Sequence, residues 1–342
     1  MFATLAGGYP FGPLPGRTQG FDAVRDRWPD GGLEAPAFTL AADAYVREVA
    51  AEQVDAGLDM VEDAFARVPG TGVVGLASGL RSGSITPSAL AVAWRSLAAG
   101  VEARTKAVLP GPWTLAEGWP GGPAGGAARE RSVRLIAESL EALGNAGCPM
   151  VMLSEPALVA AGSDRRTWRD VADTMEAACL DAAAALHLCL AITGGAPDAA
   201  GHAALAASPF ASHLVDVTAG PAGWAYLAAL PSERGVIVGA VDAASELLDD
   251  PEMLLWAAAL AAEAGGRGSV RVGIAPSGSM AGIDRHHARR KMEQMGLALR
   301  LARMGPLGEV ARGLQPDPRA SRTPSLRRLI ADHDAAGVRA PR

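Results

Sequence analysis

A histidine and a cysteine two positions apart are the residues of this 342-residue chain whose types and spacing most directly suggest chemistry. His187 and Cys189 lie in the segment LHLCLAITGG, an apolar run that ends in a glycine pair. Side chains alternate between the two faces of a strand, so both would project to the same face. Imidazole and thiolate are common zinc ligands. A buried histidine beside a small core cysteine is the alternative interpretation, and a zinc site needs at least one more protein ligand.

Acidic side chains at the ends of apolar runs are the next candidates. Glu155 follows the run in MLSEPAL, where a carboxylate could bind a substrate amine, act as an acid or base, or cap a helix. Glu62 and Asp63 are adjacent in GLDMVEDA and would face opposite ways on a strand, so that one could be catalytic and the other structural. We therefore predict Glu155, Asp63 and Glu62 as catalytic candidates.

The elements that would position these residues form an alternation of short apolar runs and longer helical stretches. About eight such units follow one another, which indicates parallel strands joined by right-handed crossovers. This pattern predicts an α/β fold, a single (β/α)8 TIM barrel over residues 1–305. A doubly wound open sheet is the alternative, although no G-x-G-x-x-G segment follows the first run. Residues 306–342 are predicted to be a C-terminal tail, partly helical or flexible, with one helix at SLRRLIADHDAAG.

The active site of a (β/α)8 barrel lies at the carboxyl ends of the strands, and this rule selects further residues. Gly8, Tyr9 and Ser154 fall there and are predicted to bind substrate. Trp113 and Trp119 flank a Gly/Pro-rich loop and could stack on a flat heterocycle or simply pack on the barrel. Cys148 starts its run and Cys179 lies in a helical stretch, so neither is placed to complete a metal site.

Composition limits the class of protein. The chain is 49% hydrophobic with a net charge of −6, and no basic face suggests nucleic-acid binding. The apolar stretches are shorter than the roughly 20 residues that span a bilayer, and no signal peptide is recognised. Three cysteines are too few for a disulfide framework. We expect a cytoplasmic protein with neither nucleic acid nor membrane as a partner.

Several segments together resemble the cobalamin-independent methionine synthase family, in particular its C-terminal catalytic barrel, which belongs with uroporphyrinogen decarboxylase in one superfamily. ATLAGGYP is similar to T-x-IGS-(F/Y)-P, EQVDAGLDMVEDA to Q-x-x-x-GLD-x-x-x-DGE, and TKAVLPGPWTLA to VK-x-x-x-x-GP-x-T. NAGCPMVMLSEPAL resembles AG-x-x-x-x-Q-x-DEPAL, LHLC resembles the zinc-binding H-x-C, and VGIAPSGSM stands in the place of NPDCGL. The matches follow the family order along most of the chain.

The resemblance implies a methyltransferase in which zinc activates a substrate thiolate. His187 and Cys189 would then be metal ligands, and Glu155 would hold the substrate amine. The family's last zinc cysteine falls near Gly278, where this chain has none, and Asp216 is the nearest carboxylate to the position of the family's zinc glutamate. The Asp of DEPAL is replaced by Ser154, and an acid of DGE by Ala64.

The sequence therefore predicts an enzyme that moves a methyl group from a methylfolate, or from a corrinoid protein, to a thiol such as homocysteine. Its partners would be the small-molecule thiol and the methyl donor, in methionine biosynthesis, and its cofactor would be zinc held by His187, Cys189 and Asp216. Two alternatives remain open. One is a diverged, metal-independent barrel enzyme of the lyase or decarboxylase type, and the other is a non-catalytic ligand-binding homologue.

Overall fold

The strands of this computed structural model, which describes residues 1–14, 16, 18–27, 35–68 and 72–314, are all parallel. Each one coincides with a predicted apolar run. They are β1 (Phe2–Ala3), β2 (Met60–Val61), β3 (Arg104–Thr105), β4 (Ala107–Pro110), β5 (Met150–Ser154), β6 (His187–Ile192), β7 (Ser212–Asp216), β8 (Gly235–Val241) and β9 (Val272–Pro276).

Hydrogen bonding arranges these strands in a closed ring. One sheet has the order β1-β9-β8-β7-β6-β5-β4, and a second pairs β2 with β3. Thr4 pairs with Met60 beside the end of β1, and Lys106 alone separates β3 from β4. The short sheet therefore fills the gap between β1 and β4, and β3 with β4 acts as one strand. The predicted (β/α)8 barrel is confirmed, and the open doubly wound sheet is excluded because an open sheet would leave two unpaired edges.

Helices cover the outside of the ring. They are α1 (Asp22–Arg27), α2 (Ala35–Asp55), α3 (Gly72–Ser82), α4 (Pro87–Ala99), α5 (Pro112–Glu117), α6 (Gly126–Asn145), α7 (Arg165–Ala183), α8 (Ala199–Ala206), α9 (Pro221–Ala229), α10 (Pro251–Glu263), α11 (Arg285–Ala302) and α12 (Leu307–Leu314). The sequence did not predict α1, α3 or α5, and it predicted its tail helix at a different place from α12. None of the helices in the described part of the chain is long and apolar enough to cross a membrane.

Strand register shows which side chains point into the barrel. Met152 pairs with Cys189, and Cys189 with Ser212, so these three share a face. Met152 also lies 3.6 Å from the buried Lys106 amine, which places that face inside the ring. The alternate residues, such as Leu190 and His213, therefore face the helices. Both faces are buried, which explains why the strands are continuously apolar in sequence.

The predicted tail is described only at its start. There α12 buries Leu307 and Ala311. The helix predicted at residues 325–337 lies outside the described residues, so the boundary between barrel and tail stays a prediction.

Candidate functional site

A buried ion pair occupies the barrel interior where β2 ends. Glu62 Oε2 lies 3.1 Å from Lys106 Nζ, and the two side chains are 1% and 0% exposed. Burial raises the pKa of Glu62 from its usual range, and the neighbouring Lys106 ammonium partly opposes that rise. Such a pair can give or take a proton with little reorganisation, so it is the strongest acid–base candidate among the described residues.

Contacts from three directions hold this pair in place. The Lys106 amine donates to the backbone oxygen of Leu5 and lies beside the Met152 sulfur. The Gln53 amide clamps the backbone of Glu62: its Nε2 donates to the Glu62 carbonyl at 2.8 Å, and its Oε1 accepts from the Glu62 amide at 3.0 Å. The Lys106 amine and the Glu62 backbone are therefore fixed before any ligand arrives, and the Glu62 carboxylate is held by the ion pair.

Asp63, by contrast, has a structural role beside Glu62. It turns towards Arg67, 3.8 Å away, and its Oδ1 accepts the Phe65 amide at 3.1 Å. The turn holds Ala64 and Phe65 at φ values of 57° and 59°, which non-glycine residues rarely adopt. The expectation that one of the two adjacent acids is structural matches this arrangement. The strained turn lies at the barrel end where active sites occur.

Glu155 caps a helix, but the helix of the preceding unit rather than the next one. Its two carboxylate oxygens accept the backbone amides of Trp113 at 2.8 Å and Thr114 at 2.7 Å, in the first turn of α5. A Cβ on Gly111 would lie 2.1 Å from the Glu155 carboxyl carbon, so this approach requires glycine. Burial raises the pKa of Glu155 to about 7, against the effect of the backbone hydrogen bonds. Each carboxylate oxygen accepts one backbone amide, so Glu155 orders this end of the barrel.

Asp216, at the end of β7, accepts hydrogen bonds from the loop that follows this strand. One carboxylate oxygen accepts the Thr218 amide and hydroxyl, each at 2.8 Å, and the Ala219 amide at 3.2 Å. Burial raises its pKa, and hydrogen bonds that include the Gly194 backbone oppose the rise. Asp216 therefore joins the loops that follow β6 and β7.

The loop after β1 approaches the loop after β9. Gly8 has a φ of +87°, and a Cβ there would lie 2.1 Å from the Ser279 hydroxyl oxygen. Tyr9 is fully buried and donates its hydroxyl to Glu52 on α2 at 2.7 Å. Glu52 in turn binds Arg285 at 2.9 Å. Gly8 thus lies at the predicted end of the barrel, whereas the Tyr9 hydroxyl is bound to a helix outside the ring.

The remaining predicted substrate-binding residues are placed differently from one another. Ser154 is the last residue of β5, on the inward face and 4% exposed. Trp113 lies in α5 and is 6% exposed, so it packs in the core, which was its alternative interpretation. Trp119 follows α5 and is half-buried against the core.

The three predicted zinc ligands do not meet. His187 is the first residue of β6, at the amino end of the barrel, and its Nε2 lies 2.8 Å from the Ser212 hydroxyl. Asp216 is the last residue of β7, and the register of Cys189 with Ser212 separates Asp216 from the level of His187 by roughly 20 Å along the strands. No group of three His, Cys, Asp or Glu side chains in the described ranges could hold a metal ion.

The structure therefore does not bring His187, Cys189 and Asp216 together as one set of ligands, and zinc binding stays a prediction. Cys189 is also fully buried, and burial raises its pKa to about 11. The physical reason for this separation is position along the strand. The segment LHLC starts β6, while the carboxyl end of that strand carries Thr193 and a glycine pair.

Comparison with solved structures finds barrels of the methionine synthase and methyltransferase kind. A B12-independent methionine synthase from a Shewanella species, in complex with selenomethionine, is 14% identical with a TM-score of 0.66, over 88% of this chain and 97% of that one. A putative vitamin-B12 independent methionine synthase from Listeria monocytogenes is 12% identical with a TM-score of 0.62, over 93% of this chain and 98% of that one. A methyltransferase from Methanosarcina mazei is 12% identical with a TM-score of 0.55, over 87% and 93%.

At these identities the likeness shows the fold, which is a TIM barrel of the same kind over nearly the whole of each relative. No protein-family model and no curated protein sequence matches the chain.

Three important residues were not selected from the sequence, although all three stood in quoted segments. Lys106 follows Thr105 in TKAVLPGP, and Gln53 precedes GLD in EQVDAGLD. A lysine within an otherwise apolar strand was the available signal, because a buried ammonium needs a partner. Gly111 carried no such signal, since its role depends on contact with a residue far along the chain.

Proposed function

We propose that this protein is a single-barrel methyltransferase that moves a methyl group from a methylfolate or methylcorrinoid donor to a thiol such as homocysteine. The observation that carries the proposal is the buried Glu62–Lys106 pair, at the end of the barrel where substrates bind in this fold. A fold shared with methionine synthases over 88% of the chain supports the class of reaction.

Thiol activation in this proposal belongs to the chain's own groups, because the residues expected to hold zinc do not fit it. The Glu62 carboxylate takes the proton as the sulfur–hydrogen bond breaks. The sulfur then attacks the methyl carbon, and the bond between that carbon and the donor breaks with its electron pair remaining on the donor. With a folate donor, the proton returns from Glu62 to the donor nitrogen, so that one proton moves in all.

Lys106 has two parts in this scheme. Its ammonium, 3.1 Å from Glu62, stabilises the charged carboxylate before proton transfer. Its hydrogen bond to the Leu5 carbonyl holds the Lys106 amine beside the loop that carries Gly8. The Glu62–Lys106 pair therefore keeps a fixed position relative to that loop. Replacing Lys106 should therefore raise the pKa of Glu62 further and shift the pH optimum upwards.

The test is a methyl-transfer assay with homocysteine and methyltetrahydrofolate, repeated with methylcobalamin, on protein treated with a chelator. We expect activity that Glu62→Gln lowers by roughly 100-fold or more, and a pH profile that Lys106→Met displaces. The matched control is Lys291→Met, since Lys291 is also fully buried and pairs with Asp249 at 2.7 Å, but outside the ring. Activity that needs added zinc, or that Glu62→Gln leaves intact, would refute the proposal.

The second candidate is a metal-independent lyase or decarboxylase. The separation of His187 from Asp216 is equally compatible with it, because neither candidate uses a metal at these residues. Release of carbon dioxide or cleavage of a small carboxylic acid, without any methyl transfer, would favour this candidate over the first.

A further inference from the structure

A cavity of about 990 Å³ opens at the amino end of the barrel, opposite the Glu62–Lys106 pair. Its walls include Phe2, Met60, Arg104, Met150, His187 and Ser212. The volume is in the range of cavities that bind small molecules. The amino end of such barrels ordinarily contributes stability rather than binding, so an open cavity of this size requires an explanation.

Small residues on three neighbouring strands account for the space. Ser212, Gly235 and Gly273 are the first residues of β7, β8 and β9 that face the barrel interior. The Phe2 ring fills the place beside Gly273, where a Cβ would lie 2.7 Å from the ring. At Gly235 a Cβ would lie 2.9 Å from the Ser212 Cβ, so β7 and β8 present only small side chains to the interior at this level. In most eight-stranded barrels large side chains fill this layer.

The polar groups around the cavity leave a positive charge without a partner. Arg104 is exposed at its mouth and makes no hydrogen bond or ion pair with any residue that the structure describes. Arg271 also lines the cavity, and its guanidinium donates only to the Ser232 carbonyl at 3.3 Å, which leaves its charge unneutralised. The His187 ring and the Ser212 hydroxyl, 2.8 Å apart, add polar groups in the wall.

The acidic residues of the lining balance this charge only in part. Asp59 accepts the Ala3 amide at 3.1 Å and lies 3.4 Å from Arg303, so its charge is already matched. Glu233 remains as one negative charge opposite two arginines. The apolar wall contains three methionines and a phenylalanine, and the flexible methionine side chains can adapt to a hydrocarbon ligand.

We propose that this cavity is a binding site for an organic anion with an apolar body, of the medium-chain carboxylate class. The carboxylate pairs with Arg104 at the mouth, within reach of His187, and the chain lies against Met60, Met150 and Phe2. The layer that contains Lys106, Met152 and Cys189 separates this site from the carboxyl end of the barrel. Binding here is therefore independent of the proposed methyl transfer.

The test uses octanoate as the probe, with octylammonium as its charge-reversed analogue, in calorimetric titrations of the full chain. We expect saturable one-to-one binding of octanoate and none of octylammonium. Arg104→Gln should weaken octanoate binding roughly tenfold or more, because it removes a charge-assisted hydrogen bond. Arg95→Gln, an exposed arginine on α4, is the matched control and should leave binding unchanged.

The location is checked with methyl-¹³C methionine labelling. Octanoate should move the methyl signals of Met60 and Met150, which line the cavity, and not those of Met292 and Met295, which are buried in α11. Absent binding, equal binding of both probes, or an effect of Arg95→Gln as large as that of Arg104→Gln would overturn the proposal. Because Arg104 is exposed, its replacement should leave the fold intact, and circular dichroism of the variant verifies this.

Discussion

Replacing Gly111 with alanine should displace the Glu155 carboxylate from the first turn of α5. The new Cβ would lie 2.1 Å from both the carboxyl carbon and Oε1 of Glu155. The backbone cannot easily move aside, because the Gly111 amide donates to the Ser154 carbonyl at 2.8 Å. The side chain of Glu155 must therefore leave, and the amides of Trp113 and Thr114 lose their acceptors.

The size of the effect follows from those two hydrogen bonds. A buried donor left without a partner costs roughly 1–3 kcal/mol, so two of them predict a loss of about 3 kcal/mol in the free energy of unfolding. Glu155→Ala removes the same two acceptors and should cost about the same. In the double variant the clash is gone, so the loss should again be about 3 kcal/mol and not the sum of the two.

The assay is urea unfolding at pH 8 of the wild type, both single variants and the double variant. Gly126→Ala is the matched control, because Gly126 begins α6 and a Cβ there meets nothing within 4 Å. A Gly111→Ala variant as stable as Gly126→Ala, or two single losses that simply add, would refute the reasoning.

The same carboxyl group predicts a pH dependence. Burial raises the pKa of Glu155 to about 7 in the folded protein, from its ordinary value of about 4.5. The folded state therefore holds a proton that the unfolded chain releases, and this contribution to stability, roughly 3 kcal/mol, is lost as the pH rises from about 4.5 to about 7. Glu155→Ala should flatten the stability profile in that window.

The other predictions concern buried charge and metal. Burial lowers the pKa of His213 to about 3. The neutral imidazole therefore contributes to the free energy of unfolding above about pH 6.5, and this contribution is lost as the pH falls towards 3. His213→Phe should make the loss of stability in acid less steep over this range. Arg285→Met should cost about 3–5 kcal/mol in urea unfolding, because it leaves the buried carboxylate of Glu52 without its charged partner. Arg303→Gln, whose side chain is 70% exposed, should cost less than about 1 kcal/mol. In elemental analysis, His187→Gln and Cys189→Ser should leave the zinc content of the purified protein unchanged, and a stoichiometric loss of zinc in either variant would contradict the geometry described above.

Much of the fold could be read from the chain because strand and helix periodicities are local properties. The apolar runs from FATLAGG to SVRVGIAPSG became the strands, and the intervening helices were predicted except α1, α3 and α5. Among these, α5 is only a short helix, and its start at Pro112 depends on an acceptor at Glu155. A contact across more than forty residues leaves no periodic trace in the segment that it stabilises.

The sequence by itself determined the barrel and the acids at the ends of its strands. Both can be predicted from short segments, because the alternation of strands and helices, and a charge that follows an apolar run, depend only on neighbouring residues. Tertiary structure alone decided what those residues do. It placed His187 at the start of β6 rather than at its end, paired Glu62 with Lys106, and turned Glu155 towards α5. The physical reason is that periodicity indicates which face a residue occupies but not its height along the barrel axis, and only that height determines which charges meet.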